Sequence, residues 1–343
     1  PTRRSSDLAF WGRDPDPAEY VELVRITATQ VRRAMPDALI IGGAISAFEC
    51  RNQYINELVK AGIRDHIDIF SYHPYCQIPE PAIERRVRYL KRLFEPYGIP
   101  LWQGENGRPS STCAVGRGYK LNLATQAKFV TRRIITDLKV GFEMTSYFLV
   151  ADQNEAYCGP GRHHHQGVIE TEHYTPKPAF HALQSMACLF DSETKTADLY
   201  CSVQIPHRQS VRLCSYLEYQ PALCTFKRGD IPIYSYYSPE NLDLDVDPKR
   251  IDFEIWVEEG DRFRKPVLID PVTQRVYRIA SFTHFDNCID PPKATDMECG
   301  TPEAERVLRE GALIWFQSMP MLTYPLLITD ESIFESFSGG AKT

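Results

Sequence analysis

A glutamate between small residues is the strongest candidate for chemistry in this chain. Glu105 directly follows the short apolar segment 100–104, and Gly107 comes two residues later. Because glycine has no side chain, Gly104 and Gly107 leave room for a substrate to approach the carboxylate. A carboxylate placed in this way could act as a catalytic nucleophile. The alternative is a glutamate that caps a helix or lies in a loop.

Two further polar side chains follow the preceding apolar segment. Residues 67–72 (IDIFSY) are predicted to form a strand, and His73 and Tyr75 follow it on either side of Pro74. Side chains at this point could reach a carboxylate on the neighbouring strand, keep it ionised and orient it. The alternative for His73 is a buried structural histidine.

Short apolar segments alternate with amphipathic segments up to about residue 191. The predicted strands are 38–45, 67–72, 100–104 and 143–150, and the predicted helices are 17–35, 53–61, 84–97, 125–139 and 178–190. Strands that are apolar on both faces and alternate with helices predict a parallel sheet covered by helices. The fold class of this part is therefore α/β. Its four strand–helix units are half of an eight-fold barrel.

The pattern changes after residue 191. The chain then contains short segments rich in Val, Ile and Tyr, at 199–205, 210–216, 231–237, 251–257, 266–269 and 276–279. Turn residues such as Gly229 and Pro271 separate them, which is typical of an antiparallel sandwich. We expect an all-β sandwich-like accessory domain over residues 192–335, followed by a disordered tail at 336–343.

Composition excludes several functional classes. The net charge of −6 over 343 residues argues against a nucleic-acid partner. The sequence contains no run of about 18 apolar residues of the kind that spans a membrane.

The sequence does not predict a metal site. The ten cysteines are scattered and form no C-x-x-C pair, whereas structural zinc sites have closely spaced ligands. The consecutive histidines at 163–165 point in different directions, so we predict neither a metal nor a cofactor. Location and oligomeric state stay open.

The first eight residues, PTRRSSDL, are polar, carry no pattern and do not begin with Met. They are typical of a translated sequencing adaptor and are set apart from fold reasoning. The remaining chain starts on a helix, so we expect the strand that feeds this helix to lie upstream.

Together these motifs resemble the clan A (β/α)8-barrel retaining glycoside hydrolases. His73-Pro74-Tyr75 is similar to the His-x-Tyr turn after the sixth barrel strand. Trp102-x-Gly104-Glu105-x-Gly107 is similar to the seventh-strand motif that carries the nucleophile. The resemblance covers residues 10–191 and includes, in addition, the segments 125–130, 147–152 and 176–180.

The resemblance implies the C-terminal half of a TIM barrel, strands five to eight, over residues 9–191. It implies Glu105 as the nucleophile, with His73 and Tyr75 orienting it. The residues implied to bind a β-linked poly- or oligosaccharide are Trp102, Asn106, Tyr147 and Asp152. Trp102, Tyr75 and Tyr157 could also form a platform for sugar rings, with simple packing as the alternative.

Retaining hydrolysis needs a second carboxyl group about 5–5.5 Å from the nucleophile, to protonate the leaving oxygen. In the family this acid/base follows the fourth strand, which we expect before Phe10. Asp14 and Asp16 are interpreted as loop and helix-start residues. The chain is therefore predicted to be an inactive piece of a glycosidase. The alternatives are a non-catalytic carbohydrate-binding or scaffold protein, or an unrelated βα enzyme that uses a carboxylate base.

Overall fold

A computed structural model describes residues 11–46, 52–75, 79–111, 121–155, 163–204, 221–242, 247–289 and 310–338. The chain divides into two units. The first unit comprises Pro1–Val115 and Thr136–Thr175, and the second comprises Gly116–Ile135 and Pro176–Thr343. The domain boundaries expected near residues 191 and 335 stay a prediction.

The first unit is a parallel sheet with helices. Its helices are α1 (Pro17–Ala34), α2 (Asn52–Lys60), α3 (Pro79–Phe94) and, from Thr136, the end of α4 (Leu123–Lys139). Its strands are β1 (Ile41–Ser46), β2 (Ile69–His73), β3 (Leu101–Gln103) and β4 (Met144–Thr145). They pair in parallel in the order β1-β2-β3-β4. The predicted parallel sheet is confirmed, whereas a closed or half-closed barrel stays a prediction.

Helix α1 begins where the sequence predicts. The Asp16 carboxylate accepts hydrogen bonds from the backbone N–H groups of Ala18 and Glu19, and Pro17 occupies the first turn. Proline fits there because its missing N–H has no partner in the first turn of any helix. Asp16 is therefore a helix-start residue, as expected.

The two faces of β2 and β3 differ. Phe70, Tyr72 and Leu101 belong to a hydrophobic core that also contains side chains of α1 and α3: Val21, Val24, Val87, Leu90 and Phe94. Because side chains along a strand alternate between faces, Ser71, His73 and Trp102 lie on the opposite face. The sheet therefore collects apolar groups under the helices and polar or aromatic groups on its other face.

Strand β4 is shorter than predicted. It comprises two residues instead of the expected segment 143–150. The Ser146 N–H still donates to the Gln103 carbonyl of β3 at 3.1 Å, but the chain beyond it bonds to loops: the Phe148 N–H donates to the Asn106 carbonyl at 2.6 Å and the Val168 N–H donates to the Leu149 carbonyl at 3.1 Å. The apolar pattern of a sequence does not distinguish a segment that pairs in a sheet from a segment that bonds to loops.

The second unit contains α4 up to Ile135, α5 (Pro178–Leu189), α6 (Ile333–Ser338) and two antiparallel sheets. Its strands are β5 (Thr194–Thr196), β6 (Cys201–Gln204), β7 (Ala222–Arg228), β8 (Ile231–Tyr237), β9 (Lys249–Glu258), β10 (Pro266–Asp270), β11 (Arg275–Arg278), β12 (Thr283–Ile289), β13 (Glu310–Met321) and β14 (Leu326–Asp330). One sheet has the order β11-β10-β14-β8-β7-β5, and the other has the order β12-β13-β9-β6.

Both sheets contribute to one apolar core. It includes Tyr234, Tyr236, Leu268 and Ile328 from the six-stranded sheet and Phe253, Ile255, Ile314 and Phe316 from the four-stranded sheet. The expected antiparallel pairing is confirmed. Strands β12 and β13 were not predicted, and the register of β13 on β9 is irregular between Phe316 and Met319, where Ser318 has a φ of 54°.

Two sequence predictions for the second unit, a strand and a disordered tail, have different outcomes. The strand predicted over 210–216 lies outside the described residues. The tail differs from the expected disorder at its start, since residues 336–338 continue α6 and the Arg228 guanidinium donates to the Ser336 hydroxyl at 2.8 Å. Among the helices described, none is both long and apolar enough to cross a membrane.

Candidate active site

Glu105 lies immediately beyond β3, at its carboxyl end. The Gly104 N–H donates to the Tyr72 carbonyl at 3.1 Å, so the pairing of β3 with β2 continues up to the residue before Glu105. The Glu105 side chain is 22% exposed, which leaves part of it accessible to a ligand. A carboxylate at this end of a parallel strand occupies the face at which barrel enzymes carry their catalytic groups.

Two side chains from β2 and the turn after it converge on one carboxylate oxygen. The Tyr75 hydroxyl donates to Glu105 Oε2 at 3.1 Å, and His73 Nδ1 lies 3.5 Å from the same oxygen. Ser71 Oγ lies 3.4 Å from the other ring nitrogen of His73, so the buried imidazole has a polar neighbour on each side. The structure thus brings together the three residues that the sequence singled out for catalysis.

The glycines around Glu105 let neighbouring chain segments approach closely. A Cβ atom at Gly104 would lie 2.3 Å from Ser71 Oγ and 2.7 Å from His73 Nε2. A Cβ atom at Gly107 would lie 2.2 Å from the Phe148 carbonyl oxygen. That both glycines also give a substrate room stays a prediction.

A buried polar network lies beside Glu105. The Gln103 side-chain oxygen accepts hydrogen bonds from Asn106 Nδ2 at 2.8 Å, the Ser146 N–H at 2.8 Å and the Thr145 hydroxyl at 2.9 Å. The Thr145 hydroxyl also lies 2.7 Å from a carboxylate oxygen of Asp137, on α4. The network therefore connects the residue after Glu105 to β4 and to a helix.

The four predicted sugar-binding residues have different surroundings. Asn106 is only 2% exposed, and its amide group donates to both Gln103 and the Ser146 carbonyl. Trp102 is partly buried and is paired in register with Ser71, on the face that carries His73. A sugar contact by either residue stays a prediction, and the burial of Asn106 does not favour one there.

Tyr147 and Asp152 hold loops near the ends of β3 and β4. The Tyr147 hydroxyl donates to the Arg108 carbonyl at 3.1 Å and lies 3.3 Å from the Arg108 N–H. The Asp152 carboxylate accepts from the Gly167 N–H at 2.9 Å and lies 3.5 Å from His165 Nδ1. Their sugar contacts stay predictions, and Tyr157 lies outside the described residues.

The consecutive histidines belong to the same loop region. His163 lies 3.4 Å from the Glu155 carboxylate, and the rings of His163 and His165 are parallel with centroids 6.0 Å apart. Within the described ranges, one group of three possible metal ligands has its atoms within 4.8 Å: Glu170, Glu172 and His173. There the Glu170 carboxylate accepts the backbone N–H groups of His173 and Glu172, and these bonds lower its pKa. This is the geometry of a surface turn, so we assign no metal to it.

Sequence reasoning missed Gln103, Thr145 and Asp137. A signal for Gln103 was present, since it is a polar residue inside a segment predicted to be a buried strand. A buried amide needs partners, but the sequence contains no pattern that identifies Thr145 and Asp137 as part of its surroundings.

No protein-family model matches the chain, and no curated protein sequence matches it. The structure is similar to the GH39 enzyme from Xanthomonas axonopodis pv. citri, with a TM-score of 0.50 and 14% identity, over 95% of this chain and 66% of that one. It is also similar to a glucosidase from Croceicoccus marinus, with a TM-score of 0.51 and 10% identity, over 92% of this chain and 65% of that one. The chain thus spans slightly under two thirds of the length of either structure. At this level of identity the likeness shows the fold alone, which this chain shares with these two enzymes.

Proposed function

We propose that this chain carries the nucleophile of a retaining glycoside hydrolase, and that Glu105 is this nucleophile. The observation that supports the proposal is the partly exposed Glu105 carboxylate at a parallel strand end, with Tyr75 and His73 on one of its oxygens. The shared fold with glycoside hydrolases is consistent with it.

In the proposed reaction a Glu105 oxygen attacks the anomeric carbon of a β-linked sugar while the bond to the leaving oxygen breaks. The product is a glycosyl ester on Glu105, which water then hydrolyses to regenerate the carboxylate. Tyr75 and His73 hold one carboxylate oxygen, so that the carboxylate does not rotate freely before attack. Trp102, on the same face as His73, is proposed to lie against the apolar face of the sugar ring.

The reaction also needs a proton donor for the leaving oxygen. We propose that this second carboxyl follows the barrel strand that precedes α1, as the resemblance to clan A enzymes implies. Asp16 is no substitute, because its carboxylate caps α1. On this proposal the chain alone does not hydrolyse glycosides whose leaving group must be protonated.

An activated substrate tests Glu105 without the proton donor. A 2,4-dinitrophenolate leaves without protonation because it is a weak base, and a 2-fluoro substituent slows hydrolysis of the ester. We would incubate the chain with 2,4-dinitrophenyl 2-deoxy-2-fluoro-β-glucoside and with the corresponding β-xyloside, and follow the intact mass. The expected result is one fluoroglycosyl group, which peptide mapping places on Glu105.

The matched control is Glu105→Gln, which keeps the shape of the side chain and removes the nucleophilic oxygen. Labelling of this variant at the wild-type rate would sink the proposal, as would a wild-type chain that no β-glycoside of the panel labels. Binding of an oligosaccharide by an unlabelled wild-type chain would instead favour a non-catalytic binding protein.

A further inference from the structure

We propose that Gln103 is a positioning residue for Glu105, acting through Asn106 and the chain after β4. The inference rests on the proposed function and names a residue that the reaction would need without touching the sugar.

The Gln103 side chain is wholly buried, and its oxygen is an unusually crowded acceptor. Three donors reach it: the Asn106 amide, the Ser146 N–H and the Thr145 hydroxyl, all between 2.8 and 2.9 Å. A carbonyl oxygen has two lone pairs, so a third donor exceeds its ordinary capacity. The chain segments that carry these donors are thus gathered around one atom.

This arrangement holds the residue that follows Glu105. The Asn106 amide donates to Gln103 and also to the Ser146 carbonyl at 2.6 Å, and the Asn106 carbonyl accepts from the Phe148 N–H at 2.6 Å. On the other side of Glu105, the Gly104 N–H is bonded to β2. Both neighbours of Glu105 are therefore held, and its side chain leaves the backbone in a defined direction toward Tyr75.

The network extends to α4. The Thr145 hydroxyl oxygen lies 2.9 Å from the Gln103 oxygen and 2.7 Å from a carboxylate oxygen of Asp137, so its single hydrogen can be donated to either acceptor. Asp137 is buried on the helix. A helix is more rigid than a loop, so this contact gives the strand end a fixed support.

Stability alone is a poor explanation for a glutamine here. Backbone pairing already joins the Ser146 N–H to the Gln103 carbonyl at 3.1 Å, and an apolar residue such as Leu101 fills the neighbouring buried position. Among the residues that the structure describes, Gln103 Nε2 is buried and has no hydrogen-bond partner. A buried donor without a partner costs free energy, which a protein tolerates where the group serves function.

The test compares Gln103→Met with Tyr20→Phe in the full chain. Methionine has a similar length but accepts no strong hydrogen bond, so the Asn106 amide loses one of its two acceptors and keeps the Ser146 carbonyl. We expect the rate of Glu105 labelling by the dinitrophenyl 2-fluoro-glycoside to fall at least about 10-fold, while the Kd of the unreactive parent sugar changes less than about 2-fold. Tyr20→Phe removes a buried hydrogen bond to Gly43 in the same unit and should label at the wild-type rate.

Equal labelling rates in the two variants would overturn the proposal. If Gln103→Met does not fold, the pair Thr145→Val and Thr145→Ser replaces it. Valine removes the hydroxyl that bonds Gln103, and serine retains it. We expect slow labelling of Glu105 in Thr145→Val but not in Thr145→Ser. Equal labelling rates in these two variants would contradict the positioning role of the network.

A crystal structure separates this inference from the proposed function. In Gln103→Met we expect the distance from the Tyr75 hydroxyl to Glu105 Oε2, 3.1 Å in the wild type, to exceed the 3.5 Å limit of a hydrogen bond. If the distance from Tyr75 to Glu105 increases in Gln103→Met but the wild type is never labelled, the positioning role stands and the glycosidase proposal is contradicted. An unchanged contact would overturn the positioning role whether or not the wild type is labelled.

Discussion

The buried polar groups beside Glu105 and those around Asp330 have different partners. In the first unit, Gln103 bonds the side chains of Asn106 and Thr145, and this network borders the partly exposed Glu105. In the second unit, the bonds to buried Asp330 come from the backbone N–H groups of Arg264, Lys265 and Ser332. Buried Arg132 likewise donates to the Glu240 and Pro239 carbonyls.

Tyr75 differs in the same way from Tyr234 and Tyr236. Tyr75 is partly buried, and its hydroxyl bonds a carboxylate. Tyr234 and Tyr236 are fully buried, their hydroxyls donate to the carbonyls of Trp256 and Pro320, and burial raises their pKa. A polar group bonded to the backbone stabilises a fold. A polar group bonded to a partly exposed side chain can also take part in a reaction.

The largest expected effect is that of Glu105→Gln on chemistry. Removal of the nucleophile should reduce dinitrophenolate release from an activated β-glycoside by roughly 10⁴-fold. The free energy of unfolding should change by less than about 1 kcal/mol, because the side chain keeps its size. Steady-state rates and urea unfolding measure the two effects. A variant that loses stability but keeps its rate would erase the contrast between the units.

Asp330→Ala should reduce the free energy of unfolding and leave the reaction of Glu105 unchanged. It leaves three backbone N–H groups without their acceptor, and each such group costs about 1–3 kcal/mol, so the loss should reach about 3 kcal/mol or more. Urea unfolding measures it, and labelling of Glu105 in the folded variant should be unchanged. The control is Asp230→Ala, whose carboxylate pairs with the exposed Arg262 and should contribute under about 1 kcal/mol. Equal losses in the two variants would contradict the assignment.

A pair of Tyr→Phe substitutions sharpens the comparison. Tyr75→Phe removes the hydrogen bond to Glu105 and should slow labelling by about 10- to 100-fold, since a bond to a charged group contributes about 1.5–3 kcal/mol. Tyr236→Phe should cost about 1 kcal/mol of stability and leave labelling unchanged. If both variants label at the same rate, the Tyr75 hydroxyl has no role in the reaction.

Acid should act on the second unit through Asp330. Burial raises the pKa of this carboxyl, but hydrogen bonds from Ser332, Lys265 and Arg264 outweigh burial and hold the pKa below its ordinary value of 3.8. A group whose pKa is lowered by folding stabilises the protein above its ordinary value, and this contribution is lost as the pH falls through the lowered value. We expect the free energy of unfolding to decline below about pH 4, and to decline less steeply in Asp330→Asn. Parallel curves for the two proteins would show that another group is responsible.

Much of the candidate site follows from the sequence. The ends of neighbouring parallel strands lie at one edge of a sheet, so His73 and Glu105 could be placed together once two apolar segments had been identified as strands. Tyr75 followed because it is two residues beyond His73. The sequence did not indicate that the two glycines let Ser71, His73 and Phe148 approach closely, because this approach depends on how the segments pack.

The sequence by itself determined the classes of structure and the strand ends at which polar groups lie. Apolar periodicity changes from strand–helix alternation to strands alone near residue 191, and it does so because each element must bury one face. Only the tertiary structure decided which polar groups become partners. Gln103 and Thr145 are 42 positions apart, yet their atoms lie within 2.9 Å, and Glu105 is oriented by Tyr75, 30 positions earlier. Hydrogen bonding depends on distances of tenths of an ångström between distant segments, and periodicity contains no information about such distances.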